Sequence, residues 1–287
     1  MRNVCALLAA SVLLASAAAG SCASTDGLSG GGADAATPDV AQGTSDGDAP
    51  RTDGGTEGGG PDASDASGGG CNPGTVPDLV GYYAFEEGAG TTAHDCSGNG
   101  RDGTILRVAT DTWTTGLYGK ALRVKSPDGC VDLGKVDAFD FKGGFTVMAW
   151  ANTTTFPSST SDAIVGKSSD LGVAGWRMYA GFVQEYGAGV FVPGSGALFV
   201  GKEPLPPATW THLATRFTPN GNLAFFVDGV NVAEKTWSSA LVEDPTTNVR
   251  IGCRGDGAGF FDGIIDEVRL YARALTPTEI AILSRKP

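Results

Sequence analysis

From Cys71 to the C-terminus, short β-prone runs alternate with clusters of Gly, Pro, Asn and Asp. That punctuation leaves room for little except strands. Fourteen segments qualify: 79–86, 103–108, 120–125, 130–134, 144–151, 163–168, 174–181, 189–192, 197–202, 210–218, 222–228, 230–237, 248–253 and 262–272. Within Leu223–Val232, Asp228-Gly229 lies between two β-prone runs and accepts the positive φ of a tight primed turn, which predicts a hairpin. Phe145–Trp150 is apolar on both faces, as a central strand must be. One helix is expected. Thr276-Pro277-Thr278-Glu279 has capping-box spacing with proline at the first helical position, and Ile280, Ile282 and Leu283 supply its apolar face. The pattern predicts an all-β fold over 71–287, two packed antiparallel sheets closed by one short helix.

Upstream, the composition changes. Residues 23–70 hold 14 glycines and no aromatic residue, and their eight aspartates and Glu57 face a lone Arg51, a net charge of −8. Such a segment cannot bury enough apolar area to offset its chain entropy, so a disordered tether is expected over 22–70. Its span would be roughly 40 Å.

Ahead of it, Arg2 precedes an Ala/Leu-rich stretch from Val4 to Ala19, which has the form of a signal peptide over 1–21. Two cleavage readings compete. An ordinary signal peptidase could cut after Ala17-Ala18-Ala19. Alternatively, Ala19-Gly20-Ser21-Cys22 resembles a bacterial lipobox with Ala in place of the commoner Leu, in which Cys22 is lipidated. Ordinary cleavage leaves five cysteines. Lipidation leaves four, Cys71, Cys96, Cys130 and Cys253, an even number suited to two disulfides in an oxidising compartment. That arithmetic favours a lipoprotein, touching the membrane only through its anchor, over a secreted protein with a free thiol. Three pairings of the four are possible; Cys71–Cys96 with Cys130–Cys253 is preferred because the first closes the excursion around the opening strand.

Charge narrows the partners. The chain totals −12, and removing Arg2 and the tether leaves −5 on 71–287. An acidic surface repels phosphate, so nucleic acid is excluded as a partner.

Leu79-Val80-Gly81-Tyr82-Tyr83-Ala84-Phe85-Glu86-Glu87-Gly88, followed by Asp95-Cys96-Ser97-Gly98-Asn99-Gly100-Arg101-Asp102-Gly103, resembles the opening of a laminin-G-like, concanavalin-A-like jelly-roll domain. Gly119–Val124, Phe145–Trp150, Trp210–Ala214, Phe226–Gly229 and the close, Asp262–Leu275, continue the series in order. The resemblance implies a jelly-roll sandwich. Relatives of this kind are mostly recognition modules for glycans or proteins, often calcium-bearing, and some are glycoside hydrolases, so the fold leaves function open.

Catalysis finds little support. Hydrolases of this sandwich carry an E-x-D-x-x-E-like pattern that does not occur here, and Asp266-Glu267, adjacent on a strand, point to opposite faces. No G-x-S-x-G, H-E-x-x-H or P-loop is present. His94 and His212 are isolated, and the resemblance gives His212 a structural role.

A cation is a better candidate. Asp95-x-Ser97-x-Asn99-Gly100 resembles half a calcium loop, although Leu106 stands where an EF-hand needs Glu. If Val268 and Leu270 face the core, period two puts Asp266 on the same inward side. The expectation is one Ca2+ held by Asp95 and Asp266, with Asn99 and Asp102 assisting. The alternative makes the Asp95 loop a turn and Asp266 an acceptor of backbone N–H groups.

Trp113, Trp176, Tyr179, Tyr186 and Trp237, outside the best core patterns, are candidate platforms for a sugar. Trp150 and Trp210 are assigned to the core. Arg254-Gly255-Asp256 matches the tripeptide read by integrins, a three-residue match that chance supplies. The expected function is a non-catalytic envelope lipoprotein, at the bacterial outer membrane or cell surface, presenting its module to a polysaccharide or surface protein. A surface glycan hydrolase or lyase, and a structural envelope protein, are the alternatives.

Overall fold

The computed structural model describes residues 70–154, 162–169, 174–182, 185–192, 196–202, 206–238, 241 and 246–285. The signal peptide, Cys22 and all of the tether but its last residue lie outside these.

In chain order the strands are β1 Leu79–Tyr83, β2 Thr92–Ala93, β3 Gly103–Leu106, β4 Trp113–Thr115, β5 Lys120–Val124, β6 Cys130–Gly134, β7 Phe145–Thr153 and β8 Asp162–Lys167. There follow β9 Gly175–Phe182, β10 Glu185–Val192, β11 Gly196–Lys202, β12 Thr211–Phe217, β13 Asn222–Val227, β14 Val230–Thr236, β15 Val249–Ile251 and β16 Gly263–Tyr271. A 3-10 turn, Asp137–Phe139, precedes β7, and the helix α1 spans Pro277–Leu283.

Two antiparallel sheets result. The first runs β14-β13-β12-β7-β16-β5-β4, with β1 also paired to β16; the second runs β11-β10-β9-β8-β15-β6-β3-β2. All fourteen expected segments are strands to within a few residues. The two unexpected ones, β2 and β4, have two and three residues, too short to show a period. The hairpin has its primed turn, with φ +47° at Asp228 and +79° at Gly229.

The main core lies between the sheets. Val147, Ala149 and Ala151 of β7 share this core with Trp176, Met178 and Ala180 of β9, and Phe141 and Phe145 each lie tilted against Trp176 at 5.2 Å. A second, smaller core lies on the outer face of the first sheet, where Met148, Ala214, Phe226 and Tyr271 pack under Leu275 and Ile280. That is why β7 is buried on both faces. The helix has its capping box: Thr276 Oγ1 accepts from Glu279 N–H, and the Glu279 carboxylate accepts from Thr276 N–H. Only Ile280 and Leu283, three apart, reach the second core; Ile282 lies off that face and is 51% exposed.

Both preferred disulfides are present, Cys71–Cys96 and Cys130–Cys253. The second is buried and joins β6 to the segment after β15; the first begins at an exposed Cys71.

Candidate functional site

Two places on this scaffold have chemistry to explain, an acidic clasp and a cleft. The clasp starts from an irregularity in β16. Asp266 pairs with Trp150 and Arg269 with Met148, so β16 carries one residue more than β7 across that interval. The extra residue is Glu267, with φ +54°. It corrects the sequence reading of this strand. Ile265, Val268 and Leu270 face the inter-sheet core, a spacing of three and then two. Asp266 is therefore not on the side of Val268 and Leu270. It shares the outer face with Trp150, whose ring meets His212 edge-on at 5.3 Å.

Asp266 is nonetheless wholly buried, because the turn between β4 and β5 closes over it. Leu117 N–H and Tyr118 N–H donate to Asp266 Oδ2 at 2.9 and 3.3 Å. Next along the turn, Lys120 N–H donates to Glu86 Oε2 at 3.0 Å. The turn can approach this closely because it has glycines. A Cβ on Gly116 would lie 2.6 Å from Asp266 Oδ2, and one on Gly119 would lie 2.2 Å from Glu86 Oε2. Each carboxylate thus spends one oxygen on the turn. The other oxygens, Asp266 Oδ1 and Glu86 Oε1, are buried without a hydrogen-bond partner among the described residues.

Burial pushes the Asp266 carboxyl up to about 8. Tyr118 and Leu117 N–H oppose the rise, and the charges of Glu267 and Glu86 add to it. Glu86 is raised as well, first by burial. Glu267 itself is compensated, accepting from Tyr82 Oη at 2.9 Å and pairing with Arg269 at 2.7 Å, while Arg269 lies 4.1 Å over the Tyr82 ring.

The Asp95 loop is built differently. Asp95 Oδ1 accepts from Tyr82 N–H and Ser97 N–H, and Oδ2 accepts from Arg101 N–H. Asp102 accepts from Asp95 N–H at 2.8 Å, which with His94 at 3.1 Å holds its carboxyl below the usual range. Asn99 donates to Leu79 O and Ser97 Oγ. The structure brings Asp95, Asn99 and Asp102 into one loop, while Asp266 sits in the clasp beside Glu86. Among the described residues no three His, Cys, Asp or Glu side chains converge on one point.

The cleft lies where the edge strands of the two sheets meet. A volume of about 360 Å³ is lined by Tyr179, Phe199, Val200 and Gly201 on one side and Ala233, Glu234 and Lys235 on the other. Phe199 is edge-on to Tyr179 at 5.8 Å and to Phe191 at 5.4 Å. Gly187 makes room for this arrangement, since a Cβ there would lie 2.8 Å from Tyr179 Oη.

Of the five candidate platforms, only Tyr179 lines the cleft. Trp176 and Tyr186 belong to the inter-sheet core, because strand alternation turns both inward, so neither can present a ring to a ligand. Tyr179 is itself 3% exposed, too little to present a ring face. Trp113 is half-buried, its Nε1 donating to Gly90 O, and Trp237 is half-buried against the core. Trp210, assigned to the core, is half-buried in the segment before β12. His212 is sealed in, its imidazole pushed down to about 3 by burial and then by Arg269. Arg254 and Asp256 pair with each other at 3.1 Å, and Arg254 is buried, so that tripeptide is not displayed. Sequence reasoning missed Phe199, Glu234, Lys235 and Glu86. The first three are joined only by the packing of sheet edges. Glu86 follows the opening strand, where its residue type alone was a signal.

None of the curated proteins compared with the chain matches it. Solved structures do. The binding domain of Paraclostridial mosquitocidal protein 1 aligns with a TM-score of 0.57 at 14% identity, over 72% of this chain and 52% of that one. Domain 4 of AbnA, a GH43 extracellular arabinanase from Geobacillus stearothermophilus solved with arabinotriose, aligns at 0.50 and 20%, over 72% of this chain and 98% of that one. A Trypanosoma rangeli sialidase aligns at 0.52 and 18%, over 73% and 33%. This chain spans about half the length of the mosquitocidal domain and a third of the sialidase. At these identities the likeness is one of fold. The family model described as the concanavalin A-like lectin/glucanases superfamily, Laminin_G_3, matches residues 125–281, more than half of the chain. Two sheets in this order, with the ordered motifs that resemble that family, agree with the match: the chain belongs to the concanavalin A-like lectin/glucanase superfamily.

Proposed function

We propose that this chain is a non-catalytic recognition module for a polysaccharide, exported and held at the bacterial cell envelope by lipid on Cys22, with residues 22–70 as its leash. The cleft between β11 and β14 is the ligand seat, and the clasp is a structural cation site. The observation that carries the non-catalytic reading is the burial of Asp266. Asp266 and Glu86 are neighbouring carboxylates, the residue types from which a glycosidase draws its acid and its nucleophile, although burial here raises the pKa of both rather than of one. Yet Asp266 has no exposed surface, and a glycosidic bond cannot reach it. The names of the structural neighbours, a binding domain and an arabinanase domain solved with arabinotriose, lend support. The sialidase among them keeps an enzyme as the second reading.

The donor set tests the fit of Ca2+. Asp95 does not fit, since three backbone N–H groups occupy its oxygens. Asp266 fits, with Glu86 as its neighbour, because each has a buried oxygen without a donor. Bound there, the ion would supply the positive charge that both carboxylates lack, with backbone carbonyls or water completing its oxygen shell.

Incubating the exported chain with a polysaccharide panel tests the proposal. Retention without released sugar is the expected outcome, and released sugar makes the chain an enzyme. Retention only on a surface protein replaces the saccharide with that partner.

A further inference from the structure

The cleft carries one charge that the fold leaves uncompensated, and we infer from it that the ligand is a sparsely charged acidic saccharide, a neutral chain bearing a uronate. This rests on the reading of the cleft as a saccharide seat. Two charged side chains line it. Glu234 is occupied: its Oε2 accepts from Asn231 Nδ2 at 2.9 Å and lies 3.9 Å from Arg216. Lys235 is exposed, and its ammonium makes no hydrogen bond or ion pair with any described residue.

Register directs Lys235 into the cleft. On β14, Glu234 pairs with Ala224, a residue of the outer core, whereas Lys235 pairs with Leu223, a residue of the inter-sheet core. Lys235 therefore emerges on the side that faces β11. Phe199, Tyr179 and Gly201 line the same cleft.

The half-buried ring of Phe199 can take the C–H face of a pyranose, and an ammonium in the same cleft takes a carboxylate on that ring. The number of charges limits the ligand further. Among the described residues the cleft offers one unpaired ammonium, on a folded region of net charge −5, which repels a dense polyanion and tolerates an isolated carboxylate.

The test uses the full exported chain and two ligands, xylotetraose carrying a single glucuronate and the same molecule with the glucuronate reduced to glucose, measured by titration calorimetry. The acidic form should bind about tenfold more tightly, the equivalent of about 1.4 kcal/mol, and should weaken as salt is raised. Lys235→Met should remove that advantage, so that the variant binds the acidic and the reduced forms alike, while the thermal midpoint stays unchanged. Equal binding of the two ligands, or an undiminished preference in Lys235→Met, overturns the inference and leaves the saccharide reading standing. If neither ligand nor any member of the wider panel binds, the saccharide reading falls and takes the inference with it.

Discussion

Asp95 and Asp266 both accept backbone N–H groups from a glycine-containing turn, and they differ in how fully their oxygens are used. Half-buried Asp95 accepts three backbone bonds across both oxygens, two from its own loop and one from Tyr82 of β1. Asp266 accepts two on one oxygen and keeps the other buried with no donor. The number of donors that a turn delivers decides whether a carboxylate is finished or still needs a charge. The sequence shows acid residues in both places, and only the geometry shows which one is complete.

The comparison can be broken most forcefully at the glycines. Gly116→Ala sets a Cβ 2.3 Å from Lys120 O and 2.6 Å from Asp266 Oδ2, where backbone must move. It should cost about 3–4 kcal/mol by urea unfolding, in the range of severe overpacking. Asp95→Ala should come next, at about 3 kcal/mol for three partly buried donors left unpaired, with the same loss in calcium and in EDTA. A calcium-dependent loss there would return Asp95 to the cation site.

Calcium at a hundredfold excess over its dissociation constant should stabilise the wild-type chain by about 2.7 kcal/mol, read as a raised thermal midpoint. Asp266→Asn should abolish that response. An unchanged wild-type midpoint discards the cation.

The pH dependence without metal sharpens the contrast. The folded pKa of Asp266, about 8, lies above its ordinary 3.8, so its contribution is complete below 3.8 and lost as pH rises through 8. His212 runs the other way. Its folded pKa of about 3 lies below 6.5, so its contribution is complete above 6.5 and lost as pH falls toward 3. Between 6.5 and 8 Asp266 titrates without that opposition, and in EDTA stability should fall by about 1 kcal/mol per pH unit. In Asp266→Asn the slope should vanish; a slope that persists assigns the titration elsewhere. The smallest effect belongs to Gly100→Ala. A Cβ there meets nothing within 4 Å, so only the φ of +68° opposes it, at about 1 kcal/mol.

Much of the sandwich was legible because turn residues and two-residue periodicity are local signals. Asp228-Gly229 and the Thr276 capping box had the geometry that their sequences predict. The bulge at Glu267 was not legible, since nothing in Ile264-Ile265-Asp266-Glu267-Val268 announces an extra residue. It moved Asp266 to the other face. Trp176 and Tyr186 were misplaced for a related reason. β9 and β10 are buried on both sides, so alternation could not separate core from surface. The cleft was out of reach because it joins β11 to β14 through the meeting of two sheet edges, which no sequence spacing encodes.

The covalent bridge at Cys71 has a mechanical consequence. A pull arriving from upstream enters the folded body at Cys71 and passes through sulfur to Cys96, whose N–H is bonded to Tyr82 O, in a loop laced by Asp95. The load bypasses Leu79, the first residue of β1, so the opening strand is shielded from being unzipped from its end. Force on Cys71 is thus delivered to the Asp95 loop and, through the Cys96 N–H, to Tyr82 within β1 rather than to the end of that strand.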